Sequence, residues 1–118
     1  MLINLGAALR GLGENESAIK TYDRAIKHKV QLADAYYNKG RALQSLDKFE
    51  EAQDNYKLAL SINDKEADTW VNLGTVQREL CLIRSATTVL NKLVHMAVVD
   101  HEQDFEIEHL RNLNSFLK

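Results

Sequence analysis

The sequence has no proline, a single cysteine, one tryptophan and only five glycines. So few turn-formers cannot punctuate the many short strands of a sandwich or barrel. A lone cysteine, Cys81, excludes an internal disulfide, so the chain makes no demand for an oxidising compartment. No apolar run approaches the roughly 20 residues of a membrane-spanning helix. Residues 1–13 read as a polar-interrupted helix and not as a secretion signal. The net charge of −2 supplies neither a basic footprint for nucleic acid nor a polybasic patch for a membrane surface.

Chemistry is equally short of motifs. The glycines are scattered, so none builds a phosphate-cradling loop. No Ser or Cys stands in a nucleophile motif. Of the histidines, His28, His95, His101 and His109, the last two are too far apart in "HEQDFEIEH" for the zinc-protease pattern and lack a third ligand at helical spacing. The expectation is a protein that is not an enzyme, holds no cofactor or metal, binds no nucleic acid, does not insert into a membrane and resides in the cytoplasm.

What is present points to helices. The 118 residues suit one domain, 45% apolar and 27% charged, rich in Ala, Leu, Lys and Glu. The spacing also repeats. Gly6, Gly40 and Gly74 stand 34 residues apart, and so do Asn4, Asn38 and Asn72. Ala18, Ala52 and Ala86 form a further set in the same register, followed by Tyr22, Tyr56 and Leu90, by Ala25, Ala59 and Leu93, and by Leu12, Leu46 and Leu80. Such self-similarity marks a repeat architecture. Each copy reads as two helices, placed at about 2–12 and 16–29, 33–46 and 49–61, and 67–80 and 83–97. Asp47 with Glu50 has the form of a capping box, and Asn63 with Asp64 marks a stop and the next start.

A glycine inside a helix costs about 1 kcal/mol relative to Ala. Its recurrence at 6, 40 and 74 predicts close packing, with Gly40 facing the second helix of its own copy near Tyr56 and the small Ala18, Ala52 and Ala86 on the partner helices.

These residues resemble the tetratricopeptide repeat: an aromatic, two residues, Leu-Gly, then a Tyr, then Ala, three residues and an aromatic. "WVNLG" at 70–74 with Ala86 and Leu90 is similar to it, as are "YYNKG" at 36–40 with Ala52 and Tyr56 and "LINLG" at 2–6 with Ala18 and Tyr22. The likeness covers residues 1–100. It departs at the closing proline, where Val30, Asp64 and Val98 stand, and in the apolar "CLI" at 81–83. The resemblance implies an all-α fold, a right-handed superhelical array of antiparallel helix pairs. Its repeats would be 1–32, 33–66 and 67–100, with 101–118 as a capping helix through Phe105, Leu110, Leu113, Phe116 and Leu117. The N-terminal end has no such cover and starts two residues short, as expected of a piece of a longer protein or of an end that pairs with another copy.

In this family first helices line the concave face. The resemblance therefore implies a peptide-binding groove of Asn4, Asn38, Asn72, Tyr37, Arg41, Val71, Thr75 and Arg78, with Ile3, Ala7 and Gln44 towards the same side. The asparagine amides would bond a partner's backbone. The alternative is that they bond only neighbouring helices. Arg10, Arg41 and Arg78 can meet acidic groups of a partner or pair with Asp34, Asp68 and Glu79. The clamp of related repeats for chaperone tails would need Lys where Ile3 stands, Asn where Ala7 stands, Lys where Asp68 stands and Arg where Asn72 stands. Only Asn38 fits that clamp. The expected function is a protein-interaction module that grips an extended segment of a protein or peptide partner as a scaffold. The alternatives are a structural spacer, a self-associating unit, or a regulatory segment of a larger protein.

Overall fold

The computed structural model describes the backbone of residues 2–117 and the side chains of residues 2–99, 111 and 112. Its helices are α1 (Leu2–Gly11), α2 (Asn15–Lys27), α3 (Leu32–Ser45), α4 (Phe49–Ile62) and α5 (Ala67–Leu117). No strand occurs among the described residues. Contacts divide the chain into two units, Met1–Cys81 and Leu82–Lys118.

In the first unit α1 packs on α2, α2 on α3 and α3 on α4, and α1 also meets α3. Each second helix buries a stripe at i, i+3, i+4 and i+7: Ala18, Thr21, Tyr22 and Ala25 in α2, and Ala52, Asn55, Tyr56 and Ala59 in α4. The main core gathers Leu43, Ala52, Tyr56 and Leu60 with Leu73, Val76 and Leu80 from the start of α5. A surface ion pair, Lys39 Nζ to Asp23 Oδ1 at 2.7 Å, joins α2 to α3, a contact worth under about 1 kcal/mol where solvent reaches it.

The glycines explain the approach of the pairs. A Cβ on Gly6 would overlap the ring of Tyr22, and one on Gly40 would lie 2.6 Å from Cε1 of Tyr56. Both rings are fully buried. Only a residue without a side chain lets these rings sit directly on the opposite backbone.

Three helix ends in this unit share one device. Gly13, Lys29 and Asp47 adopt left-handed φ of +81°, +54° and +59°. The amides that follow return to the last turn: Glu14 N–H to Leu9 O, Val30 N–H to Ala25 O and Lys48 N–H to Leu43 O, each 2.9 Å. These are Schellman closures, which satisfy carbonyls that would otherwise be orphaned. The capping-box reading of Asp47 is thereby corrected. Asp47 closes α3, Lys48 is the N-cap of α4, and no side-chain bond caps that helix. Asn63 does end α4, and its Oδ1 accepts the Lys65 amide at 3.1 Å.

The third copy differs. Cys81 stands where the register places Gly13 and Asp47, yet α5 continues through it. The expected turn at 81–83, and the separate helices 67–80, 83–97 and 101–118, are replaced by one helix. The physical reason is local. Cys81, Leu82 and Ile83 include neither Gly nor Asn nor Asp, the residues that enter the left-handed region at small cost, and all three can propagate a helix.

The two structural expectations that needed this turn are corrected with it. Gly74 has nothing within 4 Å of its Cβ position, and Ala86 is exposed. In the second unit Leu82, Ile83, Val89, Leu90, Leu93, Val94, Met96 and Val98 are all exposed. The side-chain packing expected of the capping segment 101–118 lies outside the described residues.

Candidate functional site

Along α3, residues 34, 37, 38, 41, 44 and 45 follow helical spacing and share one face. Two pockets open on it. The first, of about 140 Å³, is lined by Asp34, Tyr37 and Asn38 of α3, by Ala59 and Asn63, and by Glu66, Asp68 and Thr69. Its charged lining is wholly acidic. The second, of about 350 Å³, is lined by Arg10 of α1, by Arg41, Gln44 and Ser45 of α3, and by Asn72 of α5. Its charged lining is wholly basic.

A tyrosine pair lies between the pockets. Tyr37 and Tyr56 have ring centroids 6.1 Å apart at 44°. The Arg41 guanidinium carbon stands 5.6 Å from the centre of the Tyr37 ring, within reach of cation–π attraction. Asn72 Nδ2 donates to the Tyr37 hydroxyl at 3.3 Å, which ties α5 to α3. The Tyr56 hydroxyl donates to Gln44 Oε1 at 2.7 Å. Burial pushes the Tyr56 phenol well above its ordinary range, and Tyr37 adds to the shift while Arg41 and Arg10 oppose it. The phenol thus stays protonated. Gln44 accepts with its carbonyl and turns its amide hydrogens to the other side.

The first copy lacks this arrangement. Arg10 occupies the register position of Gln44, and Tyr22 that of Tyr56. Arginine has no acceptor. The Tyr22 hydroxyl and Arg10 Nε are both buried, and both are without a hydrogen-bond partner.

The expected groove residues are therefore unequally placed. Arg41 and Asn72 meet in the basic pocket, and Tyr37 and Asn38 line the acidic one. Asn38 Nδ2 donates to the Asp34 carbonyl of its own helix at 2.8 Å. Thr75 Oγ1 donates to Val71 O at 3.0 Å. Asn4, Val71 and Arg78 are exposed, and none of these three, nor Thr75, lines either pocket. Reading the repeat register did not reveal Ser45, Glu66 or Thr69 as lining residues. Their signal was spacing on the α3 face for Ser45 and position at the α4–α5 junction for the other two.

Among the described residues no group of three or more His, Cys, Asp or Glu is disposed to hold a metal ion. No described helix is both long and apolar enough to cross a membrane. Comparison with curated proteins found no matching relative. Residues 6–47 match a family model described as TPR repeat, and residues 33–66 match one described as tetratricopeptide repeat. Together they cover residues 6–66, just over half of the chain. With paired helices, glycines under tyrosines and a shared 34-residue register, the chain belongs to the tetratricopeptide repeat family, whose members generally mediate protein–protein interaction and scaffolding and are typically non-catalytic.

Proposed function

We propose that the face built by α1, α3 and the start of α5 binds an extended segment of a protein partner. The observation that carries this reading is the convergence of Arg10, Arg41 and Asn72, one from each first helix, on a single open pocket beside Tyr37. Arginine with tyrosine is the pairing enriched where interfaces concentrate their binding energy. The asparagines take a narrower role than a free amide would. Asn38 and Asn72 each commit Nδ2 within the protein, to Asp34 O and to Tyr37. Each keeps Oδ1 as an acceptor for a backbone N–H of the bound segment. An extended segment rises about 3.3 Å per residue, so successive contacts fall on different residues of the partner.

Peptides selected from a displayed random library, with affinities measured by calorimetry, test this. Two hydrogen bonds at about 1 kcal/mol each make the double variant Asn38→Ala/Asn72→Ala about 30-fold weaker for a selected peptide. Unchanged affinity would remove the asparagines from the site. A titration that perturbs amides only outside α1, α3 and the start of α5 would remove the face itself.

A second reading, self-association, draws on the second unit. Ile83, Ala86, Leu90, Leu93 and Val94 recur at helical spacing as one exposed apolar stripe, of the kind that marks interaction surfaces. Light scattering across a concentration series separates the readings. A dimer abolished by Leu90→Glu supports association through this stripe, and a monomer at all concentrations rejects it.

A further inference from the structure

The basic pocket carries two arginines that no direct ion pair neutralises among the described residues. Among the described residues, neither Arg10 nor Arg41 has a carboxylate within ion-pairing distance. The lining adds Gln44, Ser45 and Asn72, all uncharged. Gln44 is held by Tyr56 so that its carbonyl is used and its two amide hydrogens are free to donate. Arg41 is seated over the Tyr37 ring, which leaves its planar fork of N–H groups as the part able to bond outward. Arg10 has a buried Nε without a partner.

We propose that Arg10 and Arg41 form a subsite for one oxyanion, a carboxylate or phosphate group, with the Gln44 amide as an additional donor. The source of that oxyanion, a side chain of the bound segment, rests on the peptide-binding reading. The subsite itself does not, because a free anion tests it. The site differs from the chaperone-tail clamp of related repeats, whose positions here hold Ile3, Ala7, Asn38, Asp68 and Asn72, with only Asn38 matching and neither Arg10 nor Arg41 among them. Two guanidinium groups in one pocket favour a dianion over a monoanion. A phosphorylated side chain carries about −1.5 to −2 at neutral pH and three strong acceptors, against one negative charge for a carboxylate.

The experiment follows the arginine side-chain Nε–Hε resonances of the full chain by NMR. The probes are inorganic phosphate, N-acetyl-phosphoserine methylamide and N-acetyl-glutamate methylamide, at constant ionic strength. The expected result is saturable movement of Arg10 and Arg41, while Arg24 and Arg84, exposed elsewhere, move little and without saturation. Arg41→Gln abolishes the saturation at Arg10. Arg41→Lys keeps the charge, loses the fork and weakens phosphate at least tenfold. Both variants are checked for native helicity by circular dichroism, and Arg10→Gln, read at Arg41, provides the reciprocal test. Tighter binding of the phosphoserine compound assigns the subsite to phosphate. Tighter binding of the glutamate compound assigns it to carboxylate. Movement at Arg10 and Arg41 no larger than at Arg24 and Arg84 overturns the subsite. Selected uncharged peptides that still map to the α1–α3 face would then leave the peptide-binding reading standing. Saturable phosphate binding without any peptide binding would do the reverse.

Discussion

Gly40→Ala is expected to destabilise the protein by up to about 2 kcal/mol net, although alanine is the better helix former. The gain in propensity is about 1 kcal/mol. Against it stands overlap with the Tyr56 ring, whose atoms would lie 2.6, 2.8 and 3.1 Å from the added carbon. That ring has little freedom to yield. It is fully buried, packs against Tyr37 and is tethered through its hydroxyl to Gln44. Relief requires α3 to move from α4, and overpacking of this kind commonly costs 1–3 kcal/mol. Urea unfolding of the wild type and the variant checks it. An unchanged or raised midpoint, with the transition slope preserved, would show that the tyrosine does not fill the space above Gly40.

Tyr56→Ala is the larger perturbation, with an expected loss of about 3–5 kcal/mol. The ring belongs to the main core with Leu43, Leu60, Leu73, Val76 and Leu80. Its removal leaves a cavity between α3 and α4 directly over a glycine, which has no side chain with which to fill it. Tyr56→Phe separates packing from polarity. It keeps the ring, loses the bond to Gln44 Oε1, and is expected to cost about 1 kcal/mol. Thermal unfolding followed by circular dichroism gives both values. A loss below about 1 kcal/mol for Tyr56→Ala would contradict the burial of the ring.

These two residues also show what the sequence discloses. A mid-helix glycine is unfavourable on its own, so its recurrence in register with a tyrosine sixteen residues later implied a contact. The pairings Gly6–Tyr22 and Gly40–Tyr56 are the outcome. The helix ends were less legible. Gly13 announces a left-handed closure, but Lys29 and Asp47 adopt the same backbone without glycine, because tertiary packing of the paired helices fixes the turn more strongly than intrinsic preference. The register suggested a third helix pair on the strength of Gly74, Ala86 and Leu90. The local residues Cys81–Leu82–Ile83 offered no stop, and local continuity prevailed.

The candidate site was readable by face and not by bond. The family pattern pointed to Tyr37, Arg41, Asn38 and Asn72 as neighbours on first helices. It did not show that Asn38 spends its amide on its own helix or that Tyr56 fixes the orientation of Gln44. Those details depend on rotamers and on contacts across helices, which no single-chain spacing encodes. The replacement of Gln44 by Arg10 in the first copy was visible as a register substitution. Its consequence, a guanidinium nitrogen and a tyrosine hydroxyl that are both buried and both without a partner, is a matter of three-dimensional packing.

The account turns on one physical claim: a glycine at this repeat position is needed where an aromatic ring covers it, and is merely a weak helix former where nothing does. Gly74 is the uncovered case. Thermal unfolding of Gly74→Ala beside Gly40→Ala tests the claim most directly. The prediction is opposite signs, with Gly74→Ala stabilising by up to about 1 kcal/mol from propensity alone and Gly40→Ala destabilising. Destabilisation by both would mean that a side chain rests on Gly74 as one does on Gly40, and would contradict the single uninterrupted α5.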